Sequence, residues 1–243
     1  MMRTIVLIVG HGVERVHMGT LIEIPAAMTG NGYLALPESG TGPGVVVLHA
    51  WWGRNAVITD FCDRLAAEGF VVLAPDLYDG RVVSAIEEAD AVAGALDHGA
   101  AMASTSAAIA TLSRNRVVTG EGVAVVGFSL GAAFALSATT TLAEHVRAAI
   151  VFYGTWVGLP FEQAHAAFQG HFAEVDAFEP AEQVRELETS LQKAGHVVDF
   201  HVYPSTGHWF MEPDRPEYNS IAASLAWDRT ISFLRTHLAT RTS

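Results

Sequence analysis

Val123-Ala124-Val125-Val126-Gly127-Phe128-Ser129-Leu130-Gly131-Ala132-Ala133-Phe134 carries an apolar run through a glycine-serine-glycine turn into an Ala-rich segment that reaches Ala138. The run Val123–Phe128 reads as a buried strand and Ala132–Ala138 as the helix that follows it. A G-x-S-x-G at so tight a strand-to-helix turn forces its central residue into strained backbone. The flanking glycines let strand and helix approach, and the side chain of Ser129 then stands exposed above the sheet. Its hydroxyl lies at a helix N-terminus, where unpaired N–H groups and the dipole favour developing negative charge.

Working outward, further apolar runs of strand length alternate with segments of helical period, the pattern of a parallel sheet covered on both faces. Strands are expected at Val45–Ala50, Phe70–Pro75, Val123–Phe128, Ala148–Tyr153, about Ala164–Phe172 and Val197–Tyr203, preceded by an entry hairpin near Leu21–Pro25 and Gly32–Leu36. Helical stripes run through Val57, Phe61 and Leu65, through Val184, Leu187, Leu191 and Ala194, and through Trp227, Ile231, Leu234 and Leu238. Ser84–Leu112 reads as two helical pieces interrupted between Gly94 and Gly99. No repeat or long linker divides the chain, so residues 19–243 are expected to form one α/β domain, with residues 1–18 set apart as an N-terminal extension and Met18 as an alternative start.

Composition narrows the partners. Half of the 243 residues are apolar and 16% are charged, which suits a folded core. The formal charge of −12 repels phosphate backbones and anionic membrane surfaces, and the 14 basic residues, all arginine but Lys193, form no stripe. Nucleic acid and membrane are therefore not expected as partners. Thr4–Val9 is apolar but short and lacks a small-residue cleavage site, and no apolar run is long enough to span a bilayer. One cysteine, Cys62, cannot form an internal disulfide, and its place beside Phe61 reads as a small buried hydrophobe. A cytoplasmic protein, monomeric or homodimeric, is the expectation.

A serine hydroxyl needs a base, and a G-x-S-x-G on a sheet of this kind is followed in chain order by an acid and then a histidine. Of the eleven histidines, His208 follows the last strand through Pro204-Ser205-Thr206-Gly207 and precedes the C-terminal helix, where the base belongs. His11 and His17 lie in the extension. His98, His145, His165, His196 and His237 sit in or beside helices or at strand beginnings, and His201 lies inside a strand. The acid belongs on the loop after the strand ending near Phe172, which offers Glu174, Asp176 and Glu179. Asp176 is the choice and Glu174 the fallback; the acid holds the imidazole's tautomer and stabilises the imidazolium.

Taken together, Pro43 to Gly53, Ala74-Pro75-Asp76-Leu77-Tyr78, Val126 to Gly131, Phe152-Tyr153-Gly154, Gly170 to Asp176 and Tyr203 to Phe210 resemble the dienelactone hydrolase family of the α/β-hydrolase superfamily, in family order from about Gly32 to Leu238. The resemblance implies a mostly parallel sheet with helices on both faces and no large cap. It implies Ser129 as nucleophile, His208 as base and Asp176 as acid, with an oxyanion hole from the backbone N–H groups of Leu130 and Trp51. Two departures stand out. The family's best-known members carry cysteine at Ser129 and glutamate at Ala50, a matched change, because a hydroxyl activated through histidine needs no thiol-regulating glutamate. They also bind a substrate carboxylate with arginines, one of them four residues after the histidine, where this chain has Glu212; Arg81 keeps the place of the other.

The expected reaction is hydrolysis of a small carboxylic ester or lactone through an acyl-enzyme. Trp51, Trp52, Tyr78, Trp209 and Phe210 are candidates for an apolar aromatic pocket. No H-E-x-x-H, C-x-x-C or Walker-type loop calls for a metal or nucleotide, so no cofactor is expected. The same triad serves acyl transfer, amide cleavage or C–X hydrolysis. A non-catalytic small-molecule binder on the same fold is the alternative from another class.

Overall fold

The strands at the centre of the molecule are apolar at successive positions, so a stable arrangement must cover both faces of the sheet they form. The computed structural model describes residues 19–24 and 30–238; the proposed extension, residues 1–18, and Pro25 lie outside the described residues. Eight strands form one sheet: β1 (Thr20–Glu23), β2 (Asn31–Ala35), β3 (Gly42–Leu48), β4 (Val71–Pro75), β5 (Val118–Phe128), β6 (Val146–Phe152), β7 (Ala167–Ala173) and β8 (Val198–Tyr203). Their order is β1-β2-β4-β3-β5-β6-β7-β8, with β1 and β2 antiparallel and every pair from β4 to β8 parallel. The helices are α1 (Ala56–Ala67), α2 (Ile86–Gly94), α3 (His98–Ser113), α4 (Leu130–Thr141), α5 (Ala181–Lys193) and α6 (Ser220–Leu238). This is a single-domain α/β-hydrolase fold.

Alternate strand residues feed two cores. Val45, Val47, Val126 and Phe128 pack with Phe61 and Cys62 of α1 and with Trp227, Ile231 and Leu234 of α6. Val46, Leu48, Val123 and Val125 pack on the other face with α3, α4 and α5. Each large apolar side chain so buried contributes about 1.5–3 kcal/mol. The helix starts follow local chemistry, since Asn55 accepts the Ile58 N–H at 3.2 Å and Asp97 accepts the Ala100 N–H at 3.0 Å. Asp97 explains why the segment from Ser84 breaks into two helices.

Element types match the sequence reading, and the ends do not all do so. β3 stops at Leu48, leaving His49 and Ala50 as the start of a loop. β5 begins at Val118, five residues before the apolar run, because Gly120 and Gly122 adopt φ of 90° and 106° and carry the chain through a register shift that periodicity does not reveal. The strand expected from about Ala164 begins at Ala167, since Phe161–Gln163 forms a short 3-10 turn first. Among the described residues no helix is long and apolar enough to cross a membrane.

Parallel strands end on one edge, so the loops after β3, β5, β6, β7 and β8 share it. Chain connections reverse direction at β3, with β4 on one side and β5 on the other. A crevice at such a reversal is where open parallel sheets bind ligands.

Candidate active site

Ser129 sits between β5 and α4 with φ 47° and ψ −112°, a backbone conformation that costs a non-glycine residue about 1–3 kcal/mol. Its N–H donates to the Phe152 carbonyl at the end of β6, at 2.9 Å, which anchors the turn to the neighbouring strand. A Cβ on Gly127 would stand 2.4 Å from the Gly131 carbonyl oxygen, and one on Gly131 would stand 2.4 Å from that of Leu48. Both positions therefore demand glycine. The close approach at Gly131 sets the first turn of α4 against the end of β3, from which the chain runs on to Trp51. Leu130 opens α4, so its N–H has no acceptor within the helix.

The loop after β3 is held by His49. Its Nδ1 donates to the Ala50 carbonyl at 2.7 Å, and its Nε2 accepts the Leu77 N–H at 3.0 Å, joining the loops after β3 and β4. Burial depresses the imidazole to about 4, so it serves here as a neutral donor and acceptor. Asp76 organises the second loop by accepting from the N–H groups of Tyr78 and Gly80 at 2.9 and 2.7 Å.

His208 reaches Ser129 from the loop after β8. Its Nε2 lies 3.0 Å from Ser129 Oγ, and its Nδ1 lies 2.9 and 2.8 Å from the two carboxylate oxygens of Asp176. The imidazole and the carboxylate are both nearly sealed from solvent, at 5% and 3% exposure. Asp176 Oδ1 also accepts the N–H groups of Phe178 and Glu179, each at 2.9 Å. Glu174, the fallback acid, instead accepts the Ser205 N–H at 2.8 Å and serves to tie two loops together.

Phe178 was not singled out in the sequence and Glu179 only as one of three carboxylates on the acid's loop, yet both shape this site. Glu179 accepts the hydroxyl and the N–H of Thr155 on the loop after β6, fastening the Asp176 loop to its neighbour. Burial raises its carboxyl above the ordinary value, against the lowering effect of Thr155. Phe178 is half-exposed, and its ring lies 5.1 Å from that of His208, 5.5 Å from Trp51 and 5.0 Å from Trp209. Trp51 and Trp209 stack at 6.0 Å. Because these contacts join residues far apart in the chain, no local pattern could reveal them.

Among the five candidate pocket residues, Trp51 is partly exposed and Trp209 packs edge-on against His208 at 5.0 Å. Trp52 and Phe210 are fully buried: Trp52 under the Arg215 guanidinium, 3.9 Å from its ring, and Phe210 between Tyr153 and Tyr203. Their rings build the wall behind the site. Tyr78 is buried edge-on against His49 at 5.0 Å, on the other face of the sheet. Arg81 is exposed on the loop after β4, and among the described residues its guanidinium makes no hydrogen bond or ion pair. Glu212 is buried rather than turned to solvent; its Oε1 accepts the Tyr153 hydroxyl at 2.7 Å.

Comparison with known proteins finds relatives of this chain. The family model described as the dienelactone hydrolase family matches residues 31–238. The chain is 29% identical to Protein usf of Aquifex pyrophilus over 91% of its length and 100% of that protein. It is 28% identical to a Bradyrhizobium protein named "Probable 2-oxo-3-(5-oxofuran-2-ylidene)propanoate lactonase", over 85% of this chain and 89% of that one. In fold it resembles a dienelactone hydrolase-like promiscuous phosphotriesterase from metagenomic libraries, with a TM-score of 0.81 at 21% identity, covering 91% of this chain and 98% of that one.

Proposed function

The chain belongs to the dienelactone hydrolase family, and from that premise we propose that this hydrolase cleaves small carboxylic esters or lactones with Ser129 as nucleophile, His208 as base and Asp176 as acid. The observation that carries the reading is the hydrogen-bonded line from Ser129 Oγ through His208 to the Asp176 carboxylate, built from loops after three different strands. With its proton on Nδ1, directed at Asp176, the imidazole presents an unprotonated Nε2 to the serine hydroxyl. Ser129 Oγ attacks the ester carbonyl while Nε2 takes its proton. The imidazolium, stabilised by Asp176, then protonates the departing alkoxide. Water, deprotonated by the same nitrogen, attacks the acyl-serine, and its collapse returns the proton to Oγ and releases the acid.

The tetrahedral oxyanion needs fixed donors, a role given to the N–H groups of Leu130 and Trp51. Support comes from the helix-opening position of Leu130 and from the packing of Gly131 against the strand that leads to Trp51. Phe178 and Trp209 border the catalytic imidazole, Trp51 packs against both, and the three favour an apolar acyl or alcohol group. Arg81, exposed and without an ion pair among the described residues, is the residue proposed to meet an anionic substituent. Partners are then small molecules, with the protein a monomer or homodimer. The fully buried Cys62 makes no demand for an oxidising compartment, which supports the cytoplasm.

The test is turnover of p-nitrophenyl acetate, p-nitrophenyl butyrate and a simple lactone by wild type and Ser129→Ala, with fluorophosphonate labelling followed by mass spectrometry. Wild type should hydrolyse at least one ester and label once, at Ser129, and the variant should lose at least about 10⁴-fold in kcat. Folded wild-type protein that neither labels nor turns over would favour the binding-protein alternative.

A further inference from the structure

The triad reading gives no task to a second buried pair at the same edge of the sheet. Tyr153 directly follows β6, is fully buried and holds φ at 38°, a left-handed conformation unusual for a side chain of this size. Its N–H donates to the His171 carbonyl on β7 at 2.8 Å, while the preceding carbonyl, that of Phe152, receives the Ser129 N–H. The ring of Tyr153 lies 4.9 Å from the imidazole of His208, tilted by 55°. Its hydroxyl donates to Glu212, which is itself buried four residues beyond His208. Glu212 in turn donates its N–H to the Trp209 carbonyl at 2.8 Å, closing the turn that carries His208 and Trp209, and Trp209 too holds a positive φ, of 65°.

We propose that Tyr153 and Glu212 form a positioning pair that fastens the His208 loop to the strand end anchoring Ser129. The proposal rests on the triad reading, because it assigns the pair its effect through His208. The pair is the one hydrogen bond between Tyr153 and the His208 loop recorded among the described residues. One end is fixed where Ser129 is anchored and the other lies one turn from His208, so its length sets how the imidazole meets Oγ.

The surroundings of Glu212 make its charge costly. From its own loop Asp214, Arg215 and Glu217 act on it; from the end of β6 there is Tyr153, and Asp176 and His208 lie near that tyrosine. Two carboxylates thus oppose ionisation and one guanidinium favours it. That guanidinium is already committed to the Ser84 carbonyl, Asp214 and the face of Trp52. Burial pushes the Glu212 carboxyl up to about 8, with the tyrosine hydroxyl pulling the other way. At neutral pH the carboxyl is therefore mostly protonated, and the tyrosine hydroxyl donates to it in either state, more strongly to the anion. Above about 8 the anion stands in a buried site among like charges, a cost that the charge-assisted tyrosine bond offsets only in part. The unfolded carboxyl loses its proton near 4.5 and the folded one near 8, so the folded state binds the extra proton between these values. Folding stability attributable to Glu212 then falls as pH rises across that window and levels off above it.

Three proteins decide the matter: wild type, Tyr153→Phe and Glu212→Gln, assayed on p-nitrophenyl acetate from pH 6 to 10 and unfolded thermally from pH 5 to 9. Glutamine keeps an acceptor for the tyrosine and cannot ionise. Glu212→Gln, which keeps the acceptor, should stay within about threefold of wild type in kcat across this range. Tyr153→Phe should lower kcat about fivefold to tenfold with KM nearly unchanged, the scale of one lost buried hydrogen bond. Relative to Glu212→Gln, the wild-type Tm should drop between pH 5 and 8. A Glu212→Gln variant as impaired as Tyr153→Phe, or an unaltered kcat in Tyr153→Phe, overturns the proposal. Failure of the triad reading looks different: wild type would show neither turnover nor fluorophosphonate labelling of Ser129, and the positioning role would fall with it while the Tm difference remained.

Discussion

Asp176 and Glu212 are carboxylates on neighbouring loops at one edge of the sheet, and both are withdrawn from solvent, yet the donors around them differ. Asp176 collects two backbone N–H groups and the Nδ1–H of His208. Glu212 has the Tyr153 hydroxyl and a neighbourhood in which Asp214 and Glu217 oppose its charge. Burial by itself assigns no role to a carboxylate. The first is surrounded by donors and meets an imidazole, and the second stands where charge is costly. The acid loop reaches that state because residues two and three positions after Asp176 fold back onto it, a local turn, whereas Glu212 depends on a partner 59 positions away.

The largest expected effect on this comparison comes from Asp176→Asn, which keeps the shape and reverses the preferred imidazole tautomer. It should cut kcat by about 10³–10⁴-fold, measured on the best ester of the panel, with Tm little altered. A loss under tenfold would mean that Asp176 and Glu212 do not differ in the way described. Next comes Glu179→Gln, which weakens the clasp to Thr155 without touching His208. A fall in kcat of about threefold to tenfold is expected, from one weakened charge-assisted hydrogen bond, together with faster amide exchange in residues 174–179 by mass spectrometry. Smaller still is Glu174→Gln: among the described residues its carboxylate holds the Ser205 N–H and no other group, so kcat should stay within about threefold of wild type, and a collapse of turnover would return the acid role to Glu174. Arg81→Ala should affect only substrates with a free carboxylate, raising their KM relative to matched neutral esters. Equal changes for both would remove its anion-binding role.

How much was legible beforehand differs by element. Ser129 could be read because the strand, the tight turn and the helix are all local, and the two glycines mark the close approaches that the turn requires. His208 was reachable by chain order, and so were the loop bearing Asp176 and the alternating strands and helices. Asp176 could be told from Glu174 only by folding the chain: the two are two residues apart with the same chemistry, and one meets an imidazole while the other meets a backbone N–H. His49 and His171, both fully buried, were passed over, since nothing local marks a histidine as a clip between two strand ends or as the stacking partner of Phe152.

The sequence by itself determined the α/β architecture, the serine at its strand-to-helix turn and the order of the groups that follow, because periodicity and turn chemistry act over a few residues. Only the tertiary structure decided which carboxylate meets His208, which aromatic rings border it and which stand behind it, and that Glu212 turns inward to Tyr153. These are relations between loops separated by whole strands and helices. They exist because parallel strands deliver their C-terminal ends to one edge, where packing rather than sequence proximity chooses the neighbours.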